Sequence, residues 1–107
     1  MFNNWFKKPQ YKKFKKFMCY IYFTDGKCRS YGQRITDEKI SDDGTVLENW
    51  PKGFQELADW WLRPYKKGGQ PNDIHMWIYS RGVNLLHRDH IRNIVMEIED
   101  HEEEIEI

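Results

Sequence analysis

An unbroken apolar and aromatic run, "MCYIYF", is followed by a turn and a more polar return in "TDGKCRSYGQRI", the whole covering residues 18–35. Tyr, Ile and Phe are good strand formers, and Asp25-Gly26 is a hairpin turn signal because both central positions of such a turn need positive φ. Pairing outward from a two-residue turn sets Thr24 opposite Lys27, Phe23 opposite Cys28, Ile21 opposite Ser30 and Cys19 opposite Gly32. Cys19, Ile21, Phe23 and Cys28 then share one face. Residues 35–50 read as a loop with a short strand or turn around Asp43-Gly44.

The period then changes. In "WPKGFQELADWWLRPY" the residues Phe54, Leu57, Ala58, Trp61 and Leu62 recur as the stripe of an amphipathic helix. Pro51 suits its first turn, and Pro64 with "KKGGQP" stops it. Trp60 lies roughly 130° from the stripe's centre at 100° per residue, so it is expected in solvent.

A strand pattern follows in "DIHMWIYS", which alternates, with Ile74, Met76 and Ile78 on one face and His75, Trp77 and Tyr79 on the other. "SRGV" signals a turn and "VNLLH" a returning strand. "IRNIVMEIED" fits a helix through Ile91, Ile94, Val95 and Ile98, or a strand through Ile94, Met96 and Ile98. Dense β-branched residues and no obvious helix cap favour the strand. The predicted fold is α+β: a hairpin and then a three-stranded meander in an antiparallel sheet, with one amphipathic helix packed on one face. Its expected core holds Ile21, Phe23, Phe54, Leu57, Trp61, Leu62, Ile74, Met76, Ile78, Leu85, Ile94, Met96 and Ile98.

Charge adds an organisation that the net value of zero conceals. Residues 1–31 carry Lys7, Lys8, Lys12, Lys13, Lys15, Lys16, Lys27 and Arg29 against Asp25. Residues 97–107 carry Glu97, Glu99, Asp100, Glu102, Glu103, Glu104 and Glu106 with no Lys or Arg. The ends either neutralise each other across the fold or sit in solvent. The expected organisation is a basic aromatic arm over 1–17, a single domain over 18–100 and an acidic tail over 101–107. At 107 residues one domain can bury a core without metal or disulfide staples. No apolar run approaches a membrane span, and none follows the basic N-terminus as a signal peptide requires. The cysteines, set about 13 Å apart by the predicted register, are too distant to bridge. Free thiols and a cytoplasmic location are expected.

Chemistry is sparse. "HRDHIRN", residues 87–93, superficially resembles the protein-kinase catalytic loop, but only His90, Ile91 and Arg92 separate Asp89 from Asn93, and no Gly-rich phosphate loop exists. His87 and His90 would share a helix face and could hold zinc, yet they diverge on a strand or turn. The stretch reads as a polar corner leading into the last strand. No catalytic residue, metal or cofactor is expected.

"ISDDGTVLENWPKGF", residues 40–54, resembles a C-terminal segment of SMC-like AAA ATPases from bacterial defence and prophage loci. The matching residues are Asp43, Gly44, Trp50, Pro51, Gly53 and Phe54. The ATPase motifs are absent, so ATP hydrolysis does not carry over, and Gln55 and Glu56 stand where that family has a second Phe and an acidic residue. In style, a small, motif-poor, aromatic-rich chain is similar to phage and mobile-element anti-defence proteins such as anti-CRISPRs. That resemblance implies a protein inhibitor that sterically blocks a host defence complex.

Aromatics in excess of the core point the same way, since exposed rings and arginines make binding hot spots. The candidate partner-binding residues are Tyr20, Tyr22, Trp60, Trp77, Tyr79 and Arg81, with Tyr20, Tyr22, Trp77 and Tyr79 on the sheet face away from the helix. Self-association through a sheet edge, giving a homodimer, is a further option. The alternative function is nucleic-acid binding, with Lys7, Lys8, Lys12, Lys13, Lys15 and Lys16 on phosphates and arm aromatics stacking on bases.

Overall fold

The computed structural model describes residues 9–64, 73–79 and 82–105. The strands are β1 (Gln10–Phe23), β2 (Cys28–Ile35), β3 (Ile74–Tyr79), β4 (Gly82–His87) and β5 (Ile91–Ile105), with helix α1 (Lys52–Leu62) between β2 and β3. The fold is α+β, one helix against an antiparallel sheet. Its connectivity differs from the predicted meander. One sheet has the order β2-β1-β5, while β3 and β4 form a separate two-stranded ribbon. After β4 the chain makes a short 3-10 turn at Arg88–His90 and β5 leaves to pair with β1.

Charge complementarity accounts for that choice of partner. Lys12 stands opposite Glu103, Lys13 opposite Glu102, Lys15 opposite Asp100 and Lys16 opposite Glu99. Opposite charges directly across an antiparallel pair stabilise it, and like charges destabilise it. The boundaries expected at residues 17 and 100 therefore fall inside strands: the basic segment from Gln10 and the acidic segment to Ile105 are one ribbon, not separate tails. Because β2 pairs with β1 only from Lys15 onward, the distal part of this ribbon has two strands. It stretches the molecule to 68 × 30 × 22 Å with a radius of gyration of 18.8 Å, against about 13 Å for a compact domain of this length.

Ion pairs run along the ribbon. Lys15 Nζ donates to Asp100 Oδ1 at 2.6 Å, and Arg34 grips Glu103 with both Nη atoms at 2.8 and 3.0 Å. The hydrogen bond from Lys15 holds the Asp100 carboxyl below its ordinary 3.8, and that from Arg34 holds Glu103 below 4.5. Glu97 goes the other way, raised by its hydrogen bond and charge repulsion with Glu99. A lowered carboxyl stabilises the folded state above its ordinary pKa and loses that contribution as pH falls. Amide exchange at residues 10–16 and 99–105, corrected for intrinsic rate, should therefore accelerate below about pH 4 and in high salt, while residues 17–21 stay protected. Equal protection of the distal ribbon at pH 7 and pH 3 would refute the electrostatic account.

The turn at Asp25-Gly26 is present, with Gly26 at φ 86°. It is one residue longer than predicted. Gly26 N donates to Phe23 O at 3.0 Å and Phe23 N to Lys27 O at 2.9 Å, which closes a three-residue loop with a left-handed glycine. Tyr22 consequently faces Cys28, and Cys19 faces Tyr31. Cys28 moves to the face opposite Cys19.

The core lies on the other face of β1, where Phe17, Cys19 and Ile21 are buried beneath Phe54, Leu57 and Trp60 of α1, with Ile35, Trp77, Leu86 and Ile91 completing the cluster. Burial raises the Cys19 thiol to about 12, with a smaller contribution from Cys28. Thiolate is the reactive form, so a thiol reagent should modify the exposed Cys28 at once and Cys19 only on unfolding. Rapid modification of both in the native protein would place Cys19 outside the core.

Candidate protein-docking surface

The candidate surface is built from the way α1 holds the ribbon. Phe54 and Leu57 bury the same helix face that the sequence pattern marks. The stripe then turns: Trp60 is 5% exposed, whereas Leu62 is 78% exposed. Trp60 is therefore not the solvent-facing anchor expected. Its indole Nε1 donates to Asp73 Oδ1 at 2.7 Å, at the start of β3, and its ring stacks on His75 at 5.2 Å. A tryptophan N–H needs such a partner when buried. The last helical residue, Leu62, projects beyond these contacts.

Arg88 closes the same corner. Its Nη1 donates to Trp60 O at 2.7 Å and its Nη2 to Arg63 O at 3.5 Å, carbonyls at the C-terminus of α1, and the guanidinium lies 4.6 Å from the centre of the Trp61 ring. A cation at the last carbonyls satisfies orphan acceptors and opposes the helix dipole. In "HRDH", then, Arg88 is a helix clamp. His87 and His90, with ring centroids 5.2 Å apart, flank a shallow cleft of about 330 Å³ shared with Phe23, Asp25 and Leu85. Among the described residues no group of three or more His, Cys, Asp or Glu side chains could hold a metal ion.

Trp77 is the second correction. It is 2% exposed and packs edge-on against Tyr31 at 4.5 Å and Phe54 at 5.7 Å. Gly53 makes room for it, since a Cβ there would come within 3.2 Å of the indole nitrogen. Asn84, opposite Trp77 in the ladder, accepts from Tyr31 Oη at 3.2 Å and Arg29 Nη1 at 3.3 Å, tying the ribbon to β2. Leu86 is buried beside them.

With Trp77 and Leu86 turned inward, period-two alternation turns Ile74, Met76 and Ile78 of β3 outward, together with Val83 and Leu85 of β4. These side chains are 40%, 61%, 65%, 61% and 61% exposed. Ile74, Met76, Ile78 and Leu85 were expected in the core; they form the largest apolar surface of the ribbon instead. The sequence held the signal, because both faces of β3 carry large side chains and only one can meet the helix.

Tyr20 and Tyr22 do lie on the sheet face away from α1, as expected, but apart from Trp77. Tyr20 Oη donates to Glu99, a bond that raises the tyrosine to about 12, and Arg92 lies 6.0 Å from the centre of the Tyr22 ring. On the same face Phe14 is sandwiched between Arg34 at 4.2 Å and His101 at 5.6 Å. Lys12, Lys13, Lys15 and Lys16 belong to β1 rather than to a free arm. The Tyr79 side chain, Arg81, Lys7 and Lys8 lie outside the described residues.

A broader cleft of about 650 Å³ beside α1 is lined by Asn49, Trp50, Phe54, Gln55, Ala58, Asp59 and Met96. Among the described residues Asp59 is its only ionisable lining residue, so these offer no nucleophile–base pair. No helix among the described residues is long and apolar enough to cross a membrane. Protein-family models, curated proteins and solved structures were all compared with the chain, and none matches it.

Proposed function

We propose that the chain is a non-enzymatic protein-binding module, of the sterically blocking kind that phage and other mobile elements direct at host defence complexes. The supporting observation is the outward apolar face of the β3–β4 ribbon. Its five side chains, 40–65% exposed, present about 500 Å² of apolar surface, within the range of roughly 300–600 Å² for the largest patch on a typical monomer, which is often functional. Departure from the inward-facing pattern is itself informative, since sequences break their local rules mostly at functional sites. The nucleic-acid reading has less support. Each of Lys12, Lys13, Lys15 and Lys16 has a carboxylate directly across the ladder, and such pairing cancels the field that phosphate binding needs.

The test is affinity capture from the source organism with the full chain, followed by reconstitution with the purified partner. A stoichiometric complex that Leu85→Lys weakens at least about tenfold, and that a substitution on the far sheet face leaves intact, supports the reading. Equal affinity of wild type and Leu85→Lys would remove the ribbon from the interface.

A further inference from the structure

We propose that a second copy of the chain covers the apolar face of the ribbon, the two faces meeting about a two-fold axis. This rests on the reading of that face as a protein-docking surface and names its occupant. The face is self-compatible in charge. Its cross-strand pairs are Met76–Leu85 and Ile78–Val83, with Ile74–His87 at the end. Among its described residues, placing it against itself opposes no carboxylates or ammonium groups.

The area sets the strength. About 500 Å² from each copy gives at most about 1,000 Å² in all, the size of a weak, reversible contact, so the pairing is concentration-dependent. Geometry is the second argument. An isologous contact needs one patch complementary to itself. Met76 and Leu85 are partners at the centre of the outward ladder. A two-fold axis through that point sets Met76 and Leu85 of one copy against Leu85 and Met76 of the other. The result is a two-layer sandwich with about 10 Å between layers, which gives a ribbon too small to be stable alone a second cover. The target of a blocking module then competes with the second copy for this face.

Sedimentation equilibrium of the full chain between about 1 and 100 µM tests the pairing. The wild type should approach twice the chain mass of 13.1 kDa. Leu85→Lys should stay at 13.1 kDa, its dissociation constant raised about 100-fold or more by a charge buried without a partner. Met76→Glu should also be monomeric, and an equimolar mixture of it with Leu85→Lys, whose new charges the two-fold axis sets face to face, should recover the dimer, which also shows that both variants fold. Failure of the mixture to recover overturns the two-fold arrangement. A dimer that survives Leu85→Lys overturns the choice of face. A wild type that stays monomeric overturns the self-pairing, and binding of the dye anilinonaphthalene sulfonate then separates the two proposals. Dye bound by the wild type but not by Leu85→Lys leaves the docking surface standing with a different occupant. No dye bound by either removes the docking surface as well.

Discussion

Replacing Trp77 with alanine is expected to cost about 3–5 kcal/mol of folding stability, out of the roughly 5–15 kcal/mol that holds a domain of this kind together. The indole is the largest side chain of the ribbon in the core, touching Tyr31 and Phe54 beside Gly53. Its removal leaves a cavity between helix and ribbon, with Leu86 as the other buried apolar side chain of the ribbon among the described residues. Met76→Ala and Ile78→Ala, one residue away on either side, should each cost less than about 0.5 kcal/mol as exposed positions do. The comparison belongs at protein concentrations low enough to keep the chain monomeric, because association would add its own stability. Chemical denaturation of the three variants decides the matter. Equal losses for Met76→Ala and Trp77→Ala would mean that the ribbon does not face the way described.

Arg88→Met is the second large effect, expected at about 2 kcal/mol. The substitution keeps most of the aliphatic stem and removes the charge-assisted hydrogen bond to Trp60 O at 2.7 Å together with the contact to the Trp61 ring. Arg88→Lys should recover only part of the loss, because an ammonium reaches one carbonyl at a time and cannot lie flat on an indole. His87→Ala and His90→Ala, at exposed positions, should be near neutral. A reversed order, with the histidines costly and Arg88 dispensable, would reopen the reading of "HRDH" as a site of chemistry.

Elements were legible where one signal dominated. Strand-forming Tyr, Ile and Phe with Asp25-Gly26 revealed the first hairpin, and Phe54 with Leu57 revealed the helix. The errors arose where a tertiary partner decided between near-equal local options. The hairpin register slipped by one because Thr24 joins the loop, a choice made by the hydrogen bond from Phe23 N to Lys27 O. Trp60 and Leu62 exchanged places because the indole found Asp73. Strand β5 was recognised as a strand, and its partner was written in the opposite charges of residues 12–16 and 99–103, yet those segments read separately as an arm and a tail. The ribbon is the most instructive case. Hydropathy favours Ile74, Met76 and Ile78 for the interior, but a single tryptophan buries more area than any of them, and Asn84 on its face can bond to β2. The exposed apolar face was therefore hidden in the sequence as core.

The orientation of the ribbon is best measured by nuclear Overhauser contacts in the folded chain. The account expects cross-peaks from the Trp77 ring to Tyr31 and Phe54, and none within one chain from the Met76, Ile78 or Leu85 methyls to Phe54 or Leu57. Contacts from those methyls to the helix, with Trp77 free of them, would turn the ribbon over and take the proposed docking surface away.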